Sequence, residues 1–343
     1  MSMSLAVKYR PTSFNDLTEQ GEIVKILTNQ ITTNTIKHGY LFCGGAGTGK
    51  TTSARIFASM INKGQGTPIE LDAASNNSVD DIRRLTDDAQ TQSLDSEYKV
   101  YIIDECHSLS SQAWQAFLKT LEEPPAKSIF ILCTTNPEKI PSTILSRVQR
   151  YNFQRISYNG VMDRLFLILE KEQEINNDID WEATAVDYIA KVADGGMRDA
   201  ITLMDKCLSY SSNLSLDNVL SALGLADYDT MFLLNECLMD GNSEETIKLI
   251  NEVFNSGIDL KLFVKMYFEF VLDCQVYHLT KNMSNTKIPQ TWKSKLDHYN
   301  AKVWSILKSL LQLLVNLVSE IKWETNAKSM IIARFVIFCE EEK

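Results

Sequence analysis

Short apolar runs alternate with helix-length amphipathic segments through residues 1–155 of the chain. Strands that alternate with helices are typical of a parallel sheet covered by helices on both faces. The continuously apolar run Tyr101-Ile102-Ile103 indicates a strand inside that sheet, where both faces are buried. The pattern therefore predicts an α/β fold with a five-stranded parallel sheet, its strands at 40–43, 69–71, 100–103, 129–133 and 148–153.

After residue 157 the strand signal stops, and apolar residues such as Val161, Leu165 and Leu169 recur at helical spacing. A broad apolar stripe near the C-terminus comprises Leu307, Leu310, Leu311, Leu314, Val315 and Val318. Such a stripe suits a domain's own core, and it also suits packing on a neighbouring subunit; the sequence leaves both open. These changes predict an α/β domain over 1–157 and helical domains over 158–224 and 225–343.

The 343-residue chain is 44% hydrophobic and 23% charged, as is typical of soluble globular proteins. No apolar run approaches the ~20 residues of a membrane span, and the N-terminus lacks the apolar core of a signal peptide. Seven cysteines without a CxxC pair indicate buried free thiols in a reducing compartment. We therefore expect a cytoplasmic protein that does not bind a membrane.

The segment 44–51 fits the phosphate-binding P-loop pattern at every position: Gly44, Gly45, Ala46, Gly47, Thr48, Gly49, Lys50 and Thr51. A strand-like run precedes it and a helix-compatible segment, beginning with Thr51 and Thr52, follows it. This context disfavours the alternative of a glycine-rich turn with a chance lysine. The backbone N–H groups would face a triphosphate, Lys50 would reach its β- and γ-phosphates, and the Thr51 hydroxyl would bind Mg²⁺.

Two carboxylates, Asp104 and Glu105, end the apolar strand at 100–103. An acid at such a strand end can hold the water shell of Mg²⁺, and the adjacent glutamate can orient an attacking water. Acidic pairs are common on surfaces, but their position after a P-loop makes a catalytic pair the better interpretation. The pair favours hydrolysis of ATP over transfer of a phosphoryl group to a small acceptor.

Three further polar residues are candidates for the same chemistry. Thr135 follows the strand at 129–133 and could bond the γ-phosphate or the lytic water, although simple strand termination explains it equally well. Arg147, before the fifth strand, could act as an arginine finger on an adjacent subunit, whereas a lone arginine is usually solvated. Arg198, after Gly195-Gly196, could fold back onto the γ-phosphate, or it could pair with Asp199 or solvent.

With these elements in this order, the chain resembles AAA+ ATPases of the clamp-loader group, and more narrowly the gamma/tau subunits of bacterial DNA polymerase III. The resemblance is strong over 5–210 and continues more weakly to the end. It rests on motifs that generic AAA+ proteins lack, together with others around them: Lys8-Tyr9-Arg10-Pro11, Leu71-Asp72-Ala73-Ala74-Ser75-Asn76-Asn77, Leu118-Lys119-Thr120-Leu121-Glu122-Glu123-Pro124-Pro125, Leu145-Ser146-Arg147 and Ala193-Asp194-Gly195-Gly196-Met197-Arg198-Asp199-Ala200.

The resemblance implies an AAA+ core over 1–157, a helical lid over 158–224 and a collar over 225–343 that forms a pentamer with other clamp-loader subunits. Its implied activity is to open a ring-shaped sliding clamp and to close it around primed DNA when ATP is hydrolysed. The resemblance also implies roles for the residues that match family motifs. Arg10 and Pro11 would border the base and ribose, Asp104 would hold the metal, and Glu105 would hold the water. Thr135 matches sensor 1, Arg198 matches sensor 2, and Arg147 matches the arginine finger.

Two departures from the bacterial pattern stand out. The family's four-cysteine zinc module is replaced by a direct connection at 62–68, and neither the scattered cysteines nor the adjacent pair Cys106-His107 forms a zinc-binding pattern, so no zinc is expected. Val148 replaces the cysteine usual after the finger. The missing module suits a phage-encoded or divergent version, and we also expect no tau extension after the collar.

A net charge of −10 argues against strong, non-specific binding of nucleic acid by this chain alone, so DNA contact should be local. In related clamp loaders helix N-termini follow the duplex backbone. Capped helix starts are predicted at Ser78 and Ser110. Candidate DNA contacts are therefore Ser110 and the nearby cations Arg83, Arg84 and Lys119, each of which is also explained as a solvated side chain.

Two other functions remain open. One is a non-hydrolysing structural subunit that only binds the clamp or its partners, although such subunits usually carry a damaged P-loop and this P-loop is intact. The other is the small-subunit type of replication factor C, which also lacks zinc. The Glu-Glu-Pro-Pro and Gly-Gly-Met-Arg-Asp-Ala runs favour the bacterial type.

Overall fold

The computed structural model describes residues 3–224 and 226–341. The chain divides into two compact units: an N-terminal unit of residues 1–168 and 193–202, and a C-terminal unit of residues 169–192 and 203–343. The domain bounds at 157 and 224 stay predictions. Residues 1, 2, 225, 342 and 343, which those predicted domains include, lie outside the described residues.

The N-terminal unit is built on a parallel sheet, and the prediction of this sheet is confirmed. Its strands are β1 (Gly39–Cys43), β2 (Ile69–Asp72), β3 (Lys99–Asp104), β4 (Ser128–Thr134) and β5 (Gln149–Asn152). Over the described residues their order is β2-β3-β4-β1-β5, with every neighbouring pair parallel. The apolar run of β3 is buried between β2 and β4, as expected for an interior strand.

Alternate strand residues point to opposite faces and build two separate cores. The helices of this unit are α1 (Leu5–Lys8), α2 (Gly21–Thr32), α3 (Lys50–Ile61), α4 (Val79–Ala89), α5 (Ser111–Glu122) and α6 (Ser142–Leu145). On one face of the sheet, Leu41 and Phe130 pack with α4 and α5, while on the other face Phe42 and Ile131 pack with α2 and α3.

Helices dominate the rest of the chain. Two of them, α7 (Tyr158–Ile175) and α9 (Met197–Tyr210), begin in the N-terminal unit and end in the C-terminal unit. The C-terminal unit contains α8 (Ala183–Val192), α10 (Leu216–Leu223), α11 (Tyr228–Met239), α12 (Ser243–Asn255), α13 (Leu260–Thr280), α14 (Lys293–Asp297), α15 (Ala301–Ile321) and α16 (Ala327–Glu341). It also contains a short parallel pair that sequence reasoning missed, β6 (Asp180–Trp181) and β7 (Asn213–Leu214), because strands this short show no periodicity.

The predicted apolar stripe of α15 divides between the core and the surface. Leu307, Leu310 and Leu314 are buried and α15 packs on α13, whereas Val315 is 50% exposed. The buried side follows the helical spacing into Leu317, which the predicted stripe omitted. Within 3–224 and 226–341, α15 is the one helix long and apolar enough to cross a membrane by length and composition. Polar residues interrupt it throughout, which is why no long apolar run is visible in the sequence.

All seven cysteines are free and buried, as the sequence indicated. Cys43, Cys106 and Cys133 belong to the N-terminal unit, and the remaining four belong to the C-terminal unit. Burial raises the pKa of the Cys106 and Cys133 thiols well above the ordinary value. These side chains therefore act as small apolar core residues.

Asp273 on α13 is a partly buried carboxylate in the C-terminal unit. Burial raises its pKa to about 6, although the backbone N–H of Lys287 donates to its Oδ2 at 2.7 Å and the charges of Lys287 and Lys191 favour ionisation. The negative charge of Glu269 raises the pKa further. The folded chain thus binds a proton at Asp273 more tightly than the unfolded chain does.

We predict that Asp273→Asn stabilises the protein above pH 6. Because the folded pKa is about 6 and the ordinary value is 3.8, the stability that a neutral Asp273 provides is complete below about pH 4 and is lost as the pH rises through 6. Asparagine keeps the carbonyl acceptor and avoids the partly buried charge, so the free energy of unfolding should rise by about 1–3 kcal/mol at pH 7.5. Denaturant melts from pH 4 to 8 test this.

Asp178→Asn, a change at an exposed loop carboxylate of the same unit, is the matched control for the Asp273 prediction. It should leave the pH dependence of unfolding close to that of the unsubstituted chain. A gain from Asp273→Asn that is equally large at pH 4 would contradict the assignment, because the gain would then be independent of ionisation.

Candidate active site

Three neighbouring strands deliver the predicted catalytic residues to one edge of the sheet. The P-loop follows β1, Asp104 ends β3 with Glu105 directly after it, and Thr135 follows β4. Since these strands are parallel and adjacent in the order β3-β4-β1, their carboxyl ends open on the same side. Ligands of open α/β sheets bind at this edge.

The P-loop curls tightly between β1 and α3. Gly47 and Gly49 have φ of 68° and 96°, left-handed values that other residues adopt only with strain, and Gly49 caps the N-terminus of α3. The Lys50 ammonium lies under the loop, where its Nζ donates to Gly44 O at 2.9 Å and to Gly45 O at 2.7 Å. Burial lowers the pKa of Lys50, and the charge of Glu105 partly offsets this effect.

The two residues predicted to bind Mg²⁺ are in direct contact. Thr51 Oγ1 donates to Asp104 Oδ2 at 2.7 Å, and the other carboxylate oxygen of Asp104 accepts from the backbone N–H of Glu105 at 3.0 Å. A hydroxyl and a carboxylate at the mouth of a phosphate-binding loop are the hard oxygen donors that Mg²⁺ prefers. The donor set therefore fits a magnesium ion that also contacts phosphate.

Glu105 is held in a sharp turn at the end of β3. Its φ is 45°, an uncommon left-handed conformation for a residue with a side chain. Its Oε2 accepts from Thr135 Oγ1 at 3.1 Å and lies 3.3 Å from His107 Nδ1. The same imidazole nitrogen is 3.2 Å from Thr134 Oγ1, so His107 lies between the glutamate and the end of β4.

Sequence reasoning considered His107 only as a zinc ligand and missed its contact with Glu105. Its place two residues after a strand-end glutamate was the available signal, because a tight turn there returns the side chain toward the strand ends. Over the residues that the structure describes, no group of three or more His, Cys, Asp and Glu side chains is arranged to hold a metal ion. The expectation that the chain binds no zinc stays a prediction.

The start of α9 contacts the P-loop through the backbone. Met197 N donates to Gly47 O at 3.1 Å. A Cβ on Gly47 would lie 3.1 Å from Gly196 Cα and 3.2 Å from Arg198 N, so glycine permits the close approach. Arg198 thereby lines the same cavity as the P-loop, although its predicted contact with a γ-phosphate stays a prediction.

The cavity over the P-loop has a volume of about 410 Å³, and all its lining residues belong to the N-terminal unit. Of the predicted residues, it is lined by Arg10, Pro11, Ala46, Gly47, Thr48, Gly49, Lys50, Thr51, Thr52, Asp104, Glu105 and Arg198. Gly44 and Gly45 contribute carbonyl groups to Lys50 rather than lining the cavity, and Thr135 adjoins it through Glu105.

Two arginines in the cavity wall were missed from the sequence. Arg164 Nη2 donates to Tyr9 O at 2.9 Å and so connects α7 with the segment before Arg10. Arg55 binds Glu70 through two bonds of 2.6 Å each. Both contacts join residues that are not neighbours in sequence, and neither arginine belongs to a recognisable motif. The sequence therefore did not predict them.

The remaining predicted residues lie outside the cavity. Arg147 pairs with Glu122, with 2.6 Å between Nη2 and Oε1, and Arg83 pairs with Asp80. Arg84 and Lys119 are exposed on α4 and α5. Ser110 caps α5 by accepting a hydrogen bond from Ala113 N at 3.2 Å. The structure thus separates the predicted finger and DNA residues from the nucleotide residues.

The strand order and the P-loop define the class of the chain as an AAA+ P-loop fold. A solved structure with the same architecture is the Holliday junction branch migration motor RuvB of Thermotoga maritima, with a TM-score of 0.50 at 19% identity. The match covers 67% of this chain and 79% of that one. At this identity the similarity shows the fold alone.

Family models match successive parts of the chain. They describe the DNA polymerase III delta subunit at 68–157, the ATPase lid domain of the DNA polymerase III clamp loader subunit at 161–213, and domain III of the DNA polymerase III gamma and tau subunits at 214–333. The gamma subunit of Buchnera aphidicola subsp. Acyrthosiphon pisum is 30% identical over 94% of this chain and 95% of its own length. The chain belongs to the DNA polymerase III gamma/tau subunit family.

Longer relatives match over part of their length. The tau subunit of Bacillus subtilis is 35% identical over 97% of this chain, which covers 62% of that protein. The gamma/tau subunit of Mycoplasma genitalium is 33% identical over 81% of this chain, which covers 49% of it. The chain thus spans roughly half to three-fifths of these two relatives.

We predict that Gly47→Ala destabilises the protein without any ligand present. A left-handed alanine costs roughly 1–2 kcal/mol, and its Cβ would press on Gly196 and Arg198. The matched control is Gly45→Ala in the same loop, because a Cβ there meets only Thr48 Cγ2 at an ordinary 3.7 Å. Thermal melts of the nucleotide-free proteins should show a loss for Gly47→Ala alone, and equal losses would contradict the backbone contact.

Proposed function

We propose that this chain is an ATP-hydrolysing motor subunit of a DNA sliding-clamp loader. The observation that carries the proposal is the bond between Thr51 and Asp104, which lie in the wall of the same cavity as Lys50 and Glu105. Membership of the gamma/tau family supports the same function. A structural subunit that only binds partners would not need this arrangement.

ATP and Mg²⁺ are the proposed substrate and cofactor. The loop over 46–52 would cradle the phosphates, Lys50 would neutralise their charge, and Arg10 and Pro11 would border the base and ribose. Thr51 and Asp104 would hold Mg²⁺, which neutralises charge on the β- and γ-phosphate oxygens when bound. Lys50 and Thr51 begin α3, Asp104 ends β3, and Arg10 and Pro11 follow α1, so the proposed ligands come from three segments around one cavity.

Glu105 is the proposed group that orients and deprotonates the attacking water. Its carboxylate is already anchored by Thr135 and adjoins His107, so its direction is controlled by side chains of the β4 end and of the turn after β3. Arg198, which lines the same cavity as the acidic pair, would stabilise charge on the transferred phosphate. Thr135 and Arg198 thereby take the sensor roles that the family pattern implies.

Arg147 is the proposed finger for the ATP of a neighbouring subunit. It does not line the cavity of its own chain, so its guanidinium must act elsewhere if it acts on a phosphate. A subunit that supplies a finger to one neighbour and receives one from another forms a ring or spiral. We therefore propose assembly with other clamp-loader subunits, with a pentamer as the expected size.

Primed DNA and the sliding clamp are the proposed macromolecular partners, and the proposed compartment is the cytoplasm. The N-termini of α4 and α5 lie side by side, because Ser110 N donates to Asn77 O at 3.2 Å and Ser78 caps α4. Two adjacent helix N-termini favour phosphate groups. Arg83 and Arg84 lie on α4 and Lys119 lies in the last turn of α5, and this pair of helices is the proposed local DNA contact.

We predict that Glu105→Gln retains ATP binding and loses turnover. The amide cannot accept the water's proton, and a general base contributes roughly 10²- to 10⁴-fold. Lys50→Ala serves as the comparison that loses binding itself. Fluorescent-nucleotide titration and phosphate release with partner subunits, clamp and primed DNA measure the two properties. Turnover that is unchanged in Glu105→Gln but lost in Lys50→Ala would reject Glu105 as the base. Turnover that is unchanged in both variants would reject the motor function and favour a structural subunit.

We predict that Arg147→Ala retains ATP binding and lowers DNA-stimulated hydrolysis in the assembled complex. A loss of roughly 10²-fold or more is expected, since fingers contribute about 10³- to 10⁵-fold in related phosphoryl transfers. Lys139→Ala removes another exposed cation nearby and should have little effect. Hydrolysis at the level of the unsubstituted complex would remove the finger role from Arg147.

A further inference from the structure

Glu122 is the feature of this chain that the proposed chemistry leaves without a role. It is the last residue of α5 and the first glutamate of the Leu-Glu-Glu-Pro-Pro motif. Its Oε1 accepts from Arg147 Nη2 at 2.6 Å, a bond between residues that are 25 positions apart. The short distance is typical of a charge-assisted hydrogen bond.

Two more bonds hold the same guanidinium. Arg147 Nη1 donates to Thr143 O at 2.6 Å and to Ser146 Oγ at 3.0 Å. The α6 turn that supplies these acceptors is anchored by Ile144, which is buried in the same core cluster as Leu121 of α5. The acceptors on α5 and α6 are therefore fixed relative to each other, and Arg147 is held from two sides.

The donors that remain suit a phosphate. A guanidinium has five N–H donors, and the three bonds above use both donors of Nη1 and one of Nη2. The Nε–H and the second Nη2–H are left over, and the side chain is 33% exposed. A planar guanidinium can present two such donors to two oxygens of one phosphate group.

We propose that Glu122 is a positioning residue, which holds Arg147 in the orientation that receives the γ-phosphate of a nucleoside triphosphate on a neighbouring subunit. This inference rests on the proposed trans role of Arg147. A free arginine loses much rotamer freedom when it is immobilised, whereas a guanidinium already fixed by three bonds loses little at the moment of contact. Glu122 acts through Arg147 and does not itself touch the nucleotide.

An ordinary surface ion pair is the alternative explanation of the Glu122 contact. Such pairs contribute little to stability, and many crystallographic examples contribute nothing measurable. A pair of that kind would leave the turnover number of the assembled enzyme unchanged. The two explanations therefore predict different turnover numbers for Glu122 variants, and they do not predict different stabilities.

The test is Glu122→Ala in the full chain, assembled with its partner subunits, the clamp and primed DNA. The turnover number for DNA-stimulated ATP hydrolysis should fall roughly tenfold, as expected when about 1.4 kcal/mol of transition-state stabilisation is lost. KM for ATP should stay within about twofold, because Glu122 does not line the cavity of its own chain. Glu122→Gln, which keeps a neutral acceptor, should lose less.

Glu123→Ala is the matched control, since it removes the neighbouring exposed glutamate of the same motif. It should match the unsubstituted complex in turnover number and in KM. Thermal melts and native mass measurement of each variant show whether folding and assembly are kept. If Glu122→Ala fails either check, the comparison is made with Glu122→Gln, where an unchanged turnover number overturns the proposal.

A double-mutant cycle with Arg147→Ala tests the positioning role of Glu122 separately from the finger role of Arg147. If Glu122 acts through Arg147, the double variant should hydrolyse ATP no more slowly than Arg147→Ala alone. A full additional loss in the double variant overturns the positioning role. So does a rise in turnover with Glu122→Ala, because Glu122 would then restrain the finger.

The cycle also identifies which proposal has failed. If Arg147→Ala itself has no effect, the finger assignment fails and the positioning role fails with it. If Arg147→Ala impairs hydrolysis while both Glu122 variants match Glu123→Ala, the finger stands and the positioning role of Glu122 is rejected.

Discussion

Parallel pairing of β1 with β4, and of β4 with β3, is the constraint on which the N-terminal unit depends. Cys43 is paired with Thr134 and Ile103 with Leu132, so the three strands end together at one edge. The strand ends then bring together the P-loop after β1, the carboxylates Asp104 and Glu105 at the end of β3, and the Thr135 hydroxyl after β4, which bonds Glu105. A change of register by one residue would exchange the two faces of a strand and separate these groups.

A second constraint is the close backbone approach between Gly47 and Gly196. It places the start of α9 against the P-loop without any side chain between them. The P-loop is thus in direct backbone contact with the helix that carries Arg198. A change in the conformation of the loop would move the start of α9 directly, because Met197 N donates to Gly47 O and no side chain has to transmit the movement.

Much of this site was predictable because its chemistry is local in sequence. The P-loop, the acids at the end of β3 and the polar end of β4 each follow a short apolar run of strand length. Contacts made through tertiary packing were not predictable, as where Arg164 binds Tyr9 across 155 positions. The contact of His107 with Glu105 was missed although the two residues are close in sequence, because the apolar pattern does not reveal the left-handed turn between the strand and the imidazole. The stripe on α15 shows the same limit, since spacing alone did not separate exposed Val315 from buried Leu317.

The buried cysteines have a practical consequence for experiments on this chain. A thiol reagent reacts with the thiolate of an accessible cysteine, and here burial both blocks access and, at Cys106 and Cys133, disfavours ionisation. Alkylation in native buffer would therefore report transient local opening rather than surface chemistry. Because Cys133 and Cys274 lie in different units, peptide-resolved labelling rates would compare the opening of the two units within one unmodified chain.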